Sequence, residues 1–177
     1  MSGCIGIETD LSHKGDLMDF RDATVAELLA LHSQLLEELR ERGVLRSANN
    51  PTGDLAEFLF CKAFGWDQAG NSAKSYDATD VKNTRFQIKG RRLHLRNKSR
   101  QMSAIRDLDG FDVLAAVLFD ESYKVKRAAL IPVRVVRERS TYIAHTNSHK
   151  FLLREAVWDI PEVTDVTAAL RQLEAER

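Results

Sequence analysis

The sequence predicts an α/β fold with a central mixed sheet of about four or five strands flanked by helices. Three observations predict it. Two segments with helical hydrophobic spacing lie before Asn71, a pair of short alternating strands follows, and the run Phe111–Phe119 (FDVLAAVLF) is continuously apolar between turn signals. Such a run suits a central strand covered on both faces.

Residues 1–22 mix Gly, Ser and Asp with isolated hydrophobes and predict a flexible arm, leaving 23–177 as one domain. Thr24 and Glu27 form a capping box, and Val25, Leu28, Leu29, Leu35, Leu36 and Leu39 recur at helical spacing until Gly43. A second helix is expected from Thr52 or Gly53 to Gly65; it is apolar nearly all round and therefore buried. Tyr76–Asp80 and Thr84–Lys89 read as an antiparallel hairpin turning at Lys82–Asn83. In its second strand Phe86 and Ile88 alternate with Gln87 and Lys89, which puts the two polar side chains on one face. Lys126–Val133 is a further strand. A helix over Val135–Ser140, a loop through His145–His149 and a last helix from Glu162 to Glu174 complete the chain.

Composition narrows the function. The chain has 177 residues, 44% hydrophobic and 29% charged, the balance of an ordinary globular domain. Its two cysteines, Cys4 and Cys61, form no C-x-x-C pair, so a structural zinc is not expected and a reducing, cytoplasmic location is. No 18-residue apolar run predicts a membrane span. No glycine-rich phosphate loop is present, which argues against a nucleotide cofactor.

Net charge is zero, from 26 basic and 26 acidic residues, but its distribution is uneven. Between Val81 and Arg106 stand nine Lys or Arg and no acid, a block of +9. A field of that kind suits a polyanion. Arg91, Arg92, Arg96, Lys98, Arg100 and Arg106 are the expected phosphate contacts, and no aromatic among them would stack on a single strand, so duplex or junction DNA is the expected partner.

Four side chains are candidates for chemistry: Glu57 between Ala56 and Phe58 on the second helix, Asp77 in the first hairpin strand, and Gln87 with Lys89 in the second. The D-x9-Q-x-K spacing from Asp77 to Lys89, placed after a Glu-bearing helix and before a buried strand, resembles the core of the PD-(D/E)XK nuclease superfamily, which includes restriction endonucleases and Holliday-junction resolvases. The segments GDLAEFL, NSAKSYDATD, FQIKGRRL, RQMSAIRDLD and FDVLAAVLFDE are similar to a bacterial group placed in that superfamily. The resemblance, over about residues 45–135, implies a restriction endonuclease-like core and a Mg²⁺ (or Mn²⁺) site. Asp77 would be the principal ligand, Gln87 and the Ile88 carbonyl would complete the site, Glu57 would add a ligand, and Lys89 would orient water or stabilise developing charge. Gln87 departs from the family's usual acid and removes one negative charge. Two functions follow: a metal-dependent DNA endonuclease, possible as a homodimer, or a DNA-binding module that keeps the fold without the hydrolysis.

Overall fold

A computed structural model describes residues 20–70 and 75–174. In chain order its elements are α1 (Val25–Glu41), α2 (Pro51–Phe64), β1 (Asp67–Gln68), β2 (Ala78–Thr79), β3 (Arg85–Arg92), β4 (Val113–Phe119), β5 (Val125–Pro132), α3 (Val133–Arg139), β6 (Thr141–Ile143), β7 (Ser148–Lys150), β8 (Thr164–Asp165) and α4 (Thr167–Glu174). The chain divides into two units, 1–38 and 39–177. Apart from residues 20–22, the expected N-terminal arm lies outside the described residues.

In the first unit the capping box forms as expected: the Thr24 N–H donates to Glu27 Oε2 at 2.8 Å, and the Glu27 N–H donates to Thr24 Oγ1 at 3.2 Å. None of the residues of α1 is buried, and the apolar Val25, Leu29 and Leu35 stand in solvent.

The second unit is an α/β fold on a mixed six-stranded sheet of order β1-β2-β3-β4-β5-β8. Every neighbouring pair is antiparallel except β3 with β4. Six of the seven residues of β4 are buried, as the continuous apolar run predicts. Its alternate side chains enter two cores. Ala115, Val117 and Phe119 join Phe86, Ile88, α2 (Ala56, Leu59, Phe60) and α4 (Leu170) on one face. Leu114, Ala116 and Leu118 join Met102, Ile105, Phe111, α3 (Val135, Val136) and Phe151 on the other. Trp66 lies flat on Phe86, ring centroids 3.6 Å apart, and fastens the end of α2 to β3. At Gly90 a Cβ would lie 2.7 Å from the Thr52 carbonyl oxygen, so the close approach of α2 to β3 depends on glycine there.

The parallel β3–β4 pair needs a crossover, and here it is irregular rather than helical: residues 93–112 carry much of the basic block. Met102 and Ile105 bury under it, and backbone bridges Gln101–Leu152 and Ile105–His149 tie it down. The basic segment is therefore an anchored surface, not a free loop.

Several expected boundaries move. The hairpin strand opens at Ala78, one residue after Asp77, and its partner runs on to Arg92. The sheet has six strands because β1 and β8, two residues each, extend its edges. The expected loop at 145–149 belongs to a second sheet, the β6–β7 hairpin. The last helix starts at Thr167, not Glu162, because Val166 still gives its N–H to the Ala128 carbonyl and Asp165 Oδ1 then caps the Thr167 N–H at 2.9 Å. Among the described residues no helix is long and apolar enough to cross a membrane.

Candidate functional site

The β2–β3 register places Ala78 opposite Phe86, with both side chains in the α2-side core. One residue earlier, at Asp77, the regular pairing stops, and Asp77 reaches Gln87 through its side chain rather than by ladder register. The Asp77 N–H still donates to the Phe86 carbonyl at 2.7 Å, but beyond it the strand departs. The Asp77 carboxylate takes over the ladder: Oδ2 accepts the Ile88 N–H at 2.6 Å and also the Gln87 side-chain amide. A residue's N–H and C=O point to the same strand edge, so the Ile88 carbonyl is directed to this side as well.

Glu57 approaches from α2. It lines, with Asp77, Asp54, Arg46, Ser47 and Tyr76, a cavity of about 310 Å³. Its Oε2 accepts a hydrogen bond from Gln68 Nε2 at 2.7 Å and lies 3.9 Å from an Arg46 guanidinium nitrogen. Burial pushes the Glu57 carboxyl above the usual carboxylate range; the Asp77 and Asp54 charges add to this, against the Gln68 bond and Arg46. Asp54 is occupied, accepting the Arg46 and Ser47 N–H groups and the Ser47 hydroxyl at 2.9, 2.8 and 3.0 Å. Cys61, one helical turn beyond Glu57, is pushed up to about 11 by burial first and Glu57 second, so its thiol stays protonated at neutral pH and is a poor nucleophile.

Thus Glu57 and Asp77 share one cavity, and Gln87 is joined to Asp77. Lys89 shares the Gln87 face by alternation, half-buried beside Ala116 of β4, and bonds to no described residue; neither it nor Gln87 lines the Glu57–Asp77 cavity. Gln68 and Arg46 are parts of the site that sequence reading missed. Gln68 reaches Glu57 only because β1 pairs with β2 (Gln68 opposite Ala78), and a two-residue strand carries no periodic signal.

The basic block sorts into committed and uncommitted cations. Arg85 grips Asp112 through Nε and a terminal nitrogen at 3.1 and 2.8 Å, and Arg100 pairs with Glu155 at 2.6 Å. Arg92 donates twice to the Glu121 carbonyl and lies 4.3 Å over the Tyr123 ring. Arg91 uses only its Nε, on the Ser99 carbonyl at 3.1 Å. Arg96, Lys98 and Arg106 are exposed and form no ion pair with a described residue.

The groups gathered on Asp77 offer oxygen: Glu57 shares its cavity, and the Gln87 side-chain amide and the Ile88 main chain adjoin its carboxylate. That is the chemistry a hard divalent cation takes, and the mutual repulsion of Glu57 and Asp77 is what such an ion relieves. Gln87 offers its NH₂ to Asp77 here, so it must turn its amide to offer oxygen. Among the described residues, no group of three or more His, Cys, Asp or Glu side chains is arranged to hold a metal ion. No protein-family model matches the chain, and no curated protein matches it in sequence.

Proposed function

We propose that the 39–177 unit is a nuclease core of the PD-(D/E)XK type, a Mg²⁺- or Mn²⁺-dependent endonuclease acting on duplex or junction DNA. The observation that carries the reading is that the Asp77 carboxylate, where β2 leaves β3, bonds both the Gln87 amide and the Ile88 N–H while sharing a cavity with Glu57. An antiparallel hairpin bearing both motif strands, a parallel partner strand and a Glu-bearing helix packed on them fit a restriction endonuclease-like core.

In this reading Asp77, Glu57, the Gln87 amide oxygen and the Ile88 carbonyl would hold the ion, which when bound neutralises charge on the scissile phosphate and acidifies water. Asp77 keeps the strand end in place through the Ile88 N–H. Gln68 fixes the Glu57 carboxylate. Lys89 brings its ammonium to the charge that develops in the transition state. The cations of the crossover hold the DNA backbone without reading sequence.

A second reading, a DNA-binding module without hydrolysis, is favoured by Gln87: it contributes no charge, and the site holds a divalent ion more weakly than one with three carboxylates. Incubating supercoiled plasmid and a four-way junction with the protein and Mg²⁺ or Mn²⁺ separates the two. Nicked or linear product supports the enzyme; intact DNA that still binds the protein supports the module.

A further inference from the structure

We infer that the turn His94–Asn97 is a wedge that enters the minor groove of a duplex and unstacks a base step, with Leu95 as its apolar tip. The inference rests on the DNA-binding reading and extends it from holding a duplex to deforming one.

The turn is built to be stiff. His94 and Asn97 exchange both backbone hydrogen bonds, at 3.0 and 2.9 Å, which leaves Leu95 and Arg96 alone at the tip. Below it, Asn97 Oδ1 accepts the Ser99 N–H at 3.1 Å, and the Ser99 carbonyl accepts Arg91 Nε at 3.1 Å. Arg92, clamped on Glu121 and Tyr123, anchors the strand end from which the turn projects.

Leu95 is 83% exposed on this support. A single exposed apolar residue is ordinary on a protein surface. Val81 is such a case: it is 91% exposed at the β2–β3 turn, where it follows Asp80 and has Lys82 as its only neighbouring cation. Leu95 differs in its electrostatic setting. Arg96 adjoins it, Arg91 and Lys98 flank the turn, and although Asp120 and Glu121 line a cavity with Leu95 and Lys98, the cations around the tip outnumber these two acids. An apolar tip beside arginine is how proteins pry open a base step from the minor groove, where the arginine meets the negative potential. The span along β3 from Gln87 to Leu93 is roughly 20 Å at about 3.3 Å per residue. That is about six base pairs at a rise of about 3.4 Å, so the turn and the candidate centre are separated by no more than a short duplex spans.

The test uses the full chain and a short alternating TA duplex, whose steps unstack readily, with 2-aminopurine replacing one adenine. Anisotropy reports binding, and 2-aminopurine fluorescence reports unstacking. Saturating wild type is expected to raise the fluorescence several-fold. Leu95→Ala, an exposed change that leaves every backbone bond of the turn in place, is expected to abolish most of that rise while the salt dependence of binding, set by the cations, persists. Val81→Ala is expected to behave as wild type. Binding without a fluorescence rise, or a rise that survives Leu95→Ala, overturns the wedge and leaves the DNA-binding reading intact. Failure of the wild type to bind the duplex at low salt overturns that reading and the wedge with it.

Discussion

Asp77 and Gln87 are joined side chain to side chain at the end of the β2–β3 ladder, where one oxygen of the Asp77 carboxylate receives both the Gln87 amide and, at 2.6 Å, the Ile88 N–H. Without metal the amide is therefore a stabilising partner for Asp77 rather than a weak substitute for an acid. Gln87→Glu replaces that bond with two carboxylates within hydrogen-bond reach of each other, a repulsive arrangement. Losing a hydrogen bond to a charged group is worth about 1.5–3 kcal/mol, so the variant is expected to melt lower than wild type in EDTA. Added Mg²⁺ should raise its Tm more than it raises the wild type's. Thermal melts across a Mg²⁺ titration check this; a variant as stable as wild type in EDTA contradicts it.

Glu57 gives a pH prediction with a definite sign. Its folded-state pKa is raised, so between the unfolded value and the folded value the native state holds more protons than the unfolded chain, and stability falls as pH rises through that window above 4.5. Glu57→Gln removes the titration and keeps an acceptor for Gln68. It is expected to flatten the pH dependence of stability between acid and neutral pH and to raise Tm at pH 7, as urea or thermal unfolding at several pH values will show.

Gly90→Ala is expected to destabilise the fold by about 1–3 kcal/mol, the usual range for overpacking. Its methyl would meet the Thr52 carbonyl oxygen at 2.7 Å and Ala56 Cβ at 3.0 Å, both on α2. Since α2 carries Glu57, in the nuclease reading cleavage should fall further than the loss of folded protein explains. Urea unfolding and activity measured on the same preparation separate the two effects.

How much of this was legible differs from residue to residue. The β4 run and the Thr24 capping box are strong local signals, and both appear where expected. The joining of Asp77 to Gln87 was only half legible: alternation put Gln87 and Lys89 on one face, but the Asp77 side-chain bond to Gln87 depends on where β2 leaves the ladder, and on the turn at Asp80, whose carboxylate caps the Lys82 and Thr84 N–H groups. Glu57 could be suspected from its apolar neighbours, whereas Gln68 could not, since nothing in Asp67–Gln68 announces a strand. The pairing of Arg100 with Glu155, 55 residues away, is a tertiary contact beyond the reach of charge counting. The edge strand β8 and the β6–β7 hairpin are too short for a hydrophobic period to emerge.

Those pairings change what salt should do. Arg85 and Arg100 have their charge met by Asp112 and Glu155, and Arg92 is held on the Glu121 carbonyl and the Tyr123 ring, so in the DNA-binding reading Arg91, Arg96, Lys98 and Arg106 are left to meet phosphates. With about 0.9 counterions released per phosphate, the log–log slope of duplex binding against salt is expected to be roughly −4. Arg96→Ala should lessen it by about one. Arg100→Ala should change it less, because that cation is already paired. Anisotropy titrations from low to moderate salt measure all three slopes.

The last prediction concerns Lys89, which shares the Gln87 face but bonds to no described residue. Lys89 is half-buried as a residue and its ammonium has no acidic partner among the described residues, so no salt bridge or hydrogen bond there contributes to stability. Lys89→Ala is accordingly expected to leave Tm nearly unchanged or slightly raised. If the lysine acts on charge that appears only in the transition state, the same substitution should lower kcat by about 100-fold or more, the scale seen when one such donor is removed. KM and the salt slope of duplex binding should move little, since uniform binding comes from the crossover cations. Single-turnover cleavage beside anisotropy on the same variant makes the comparison. A loss of binding equal to the loss of rate would place Lys89 among the phosphate contacts instead, and a loss of stability would make it a structural residue. Retained stability and binding with lost cleavage is the one combination that a catalytic lysine alone produces.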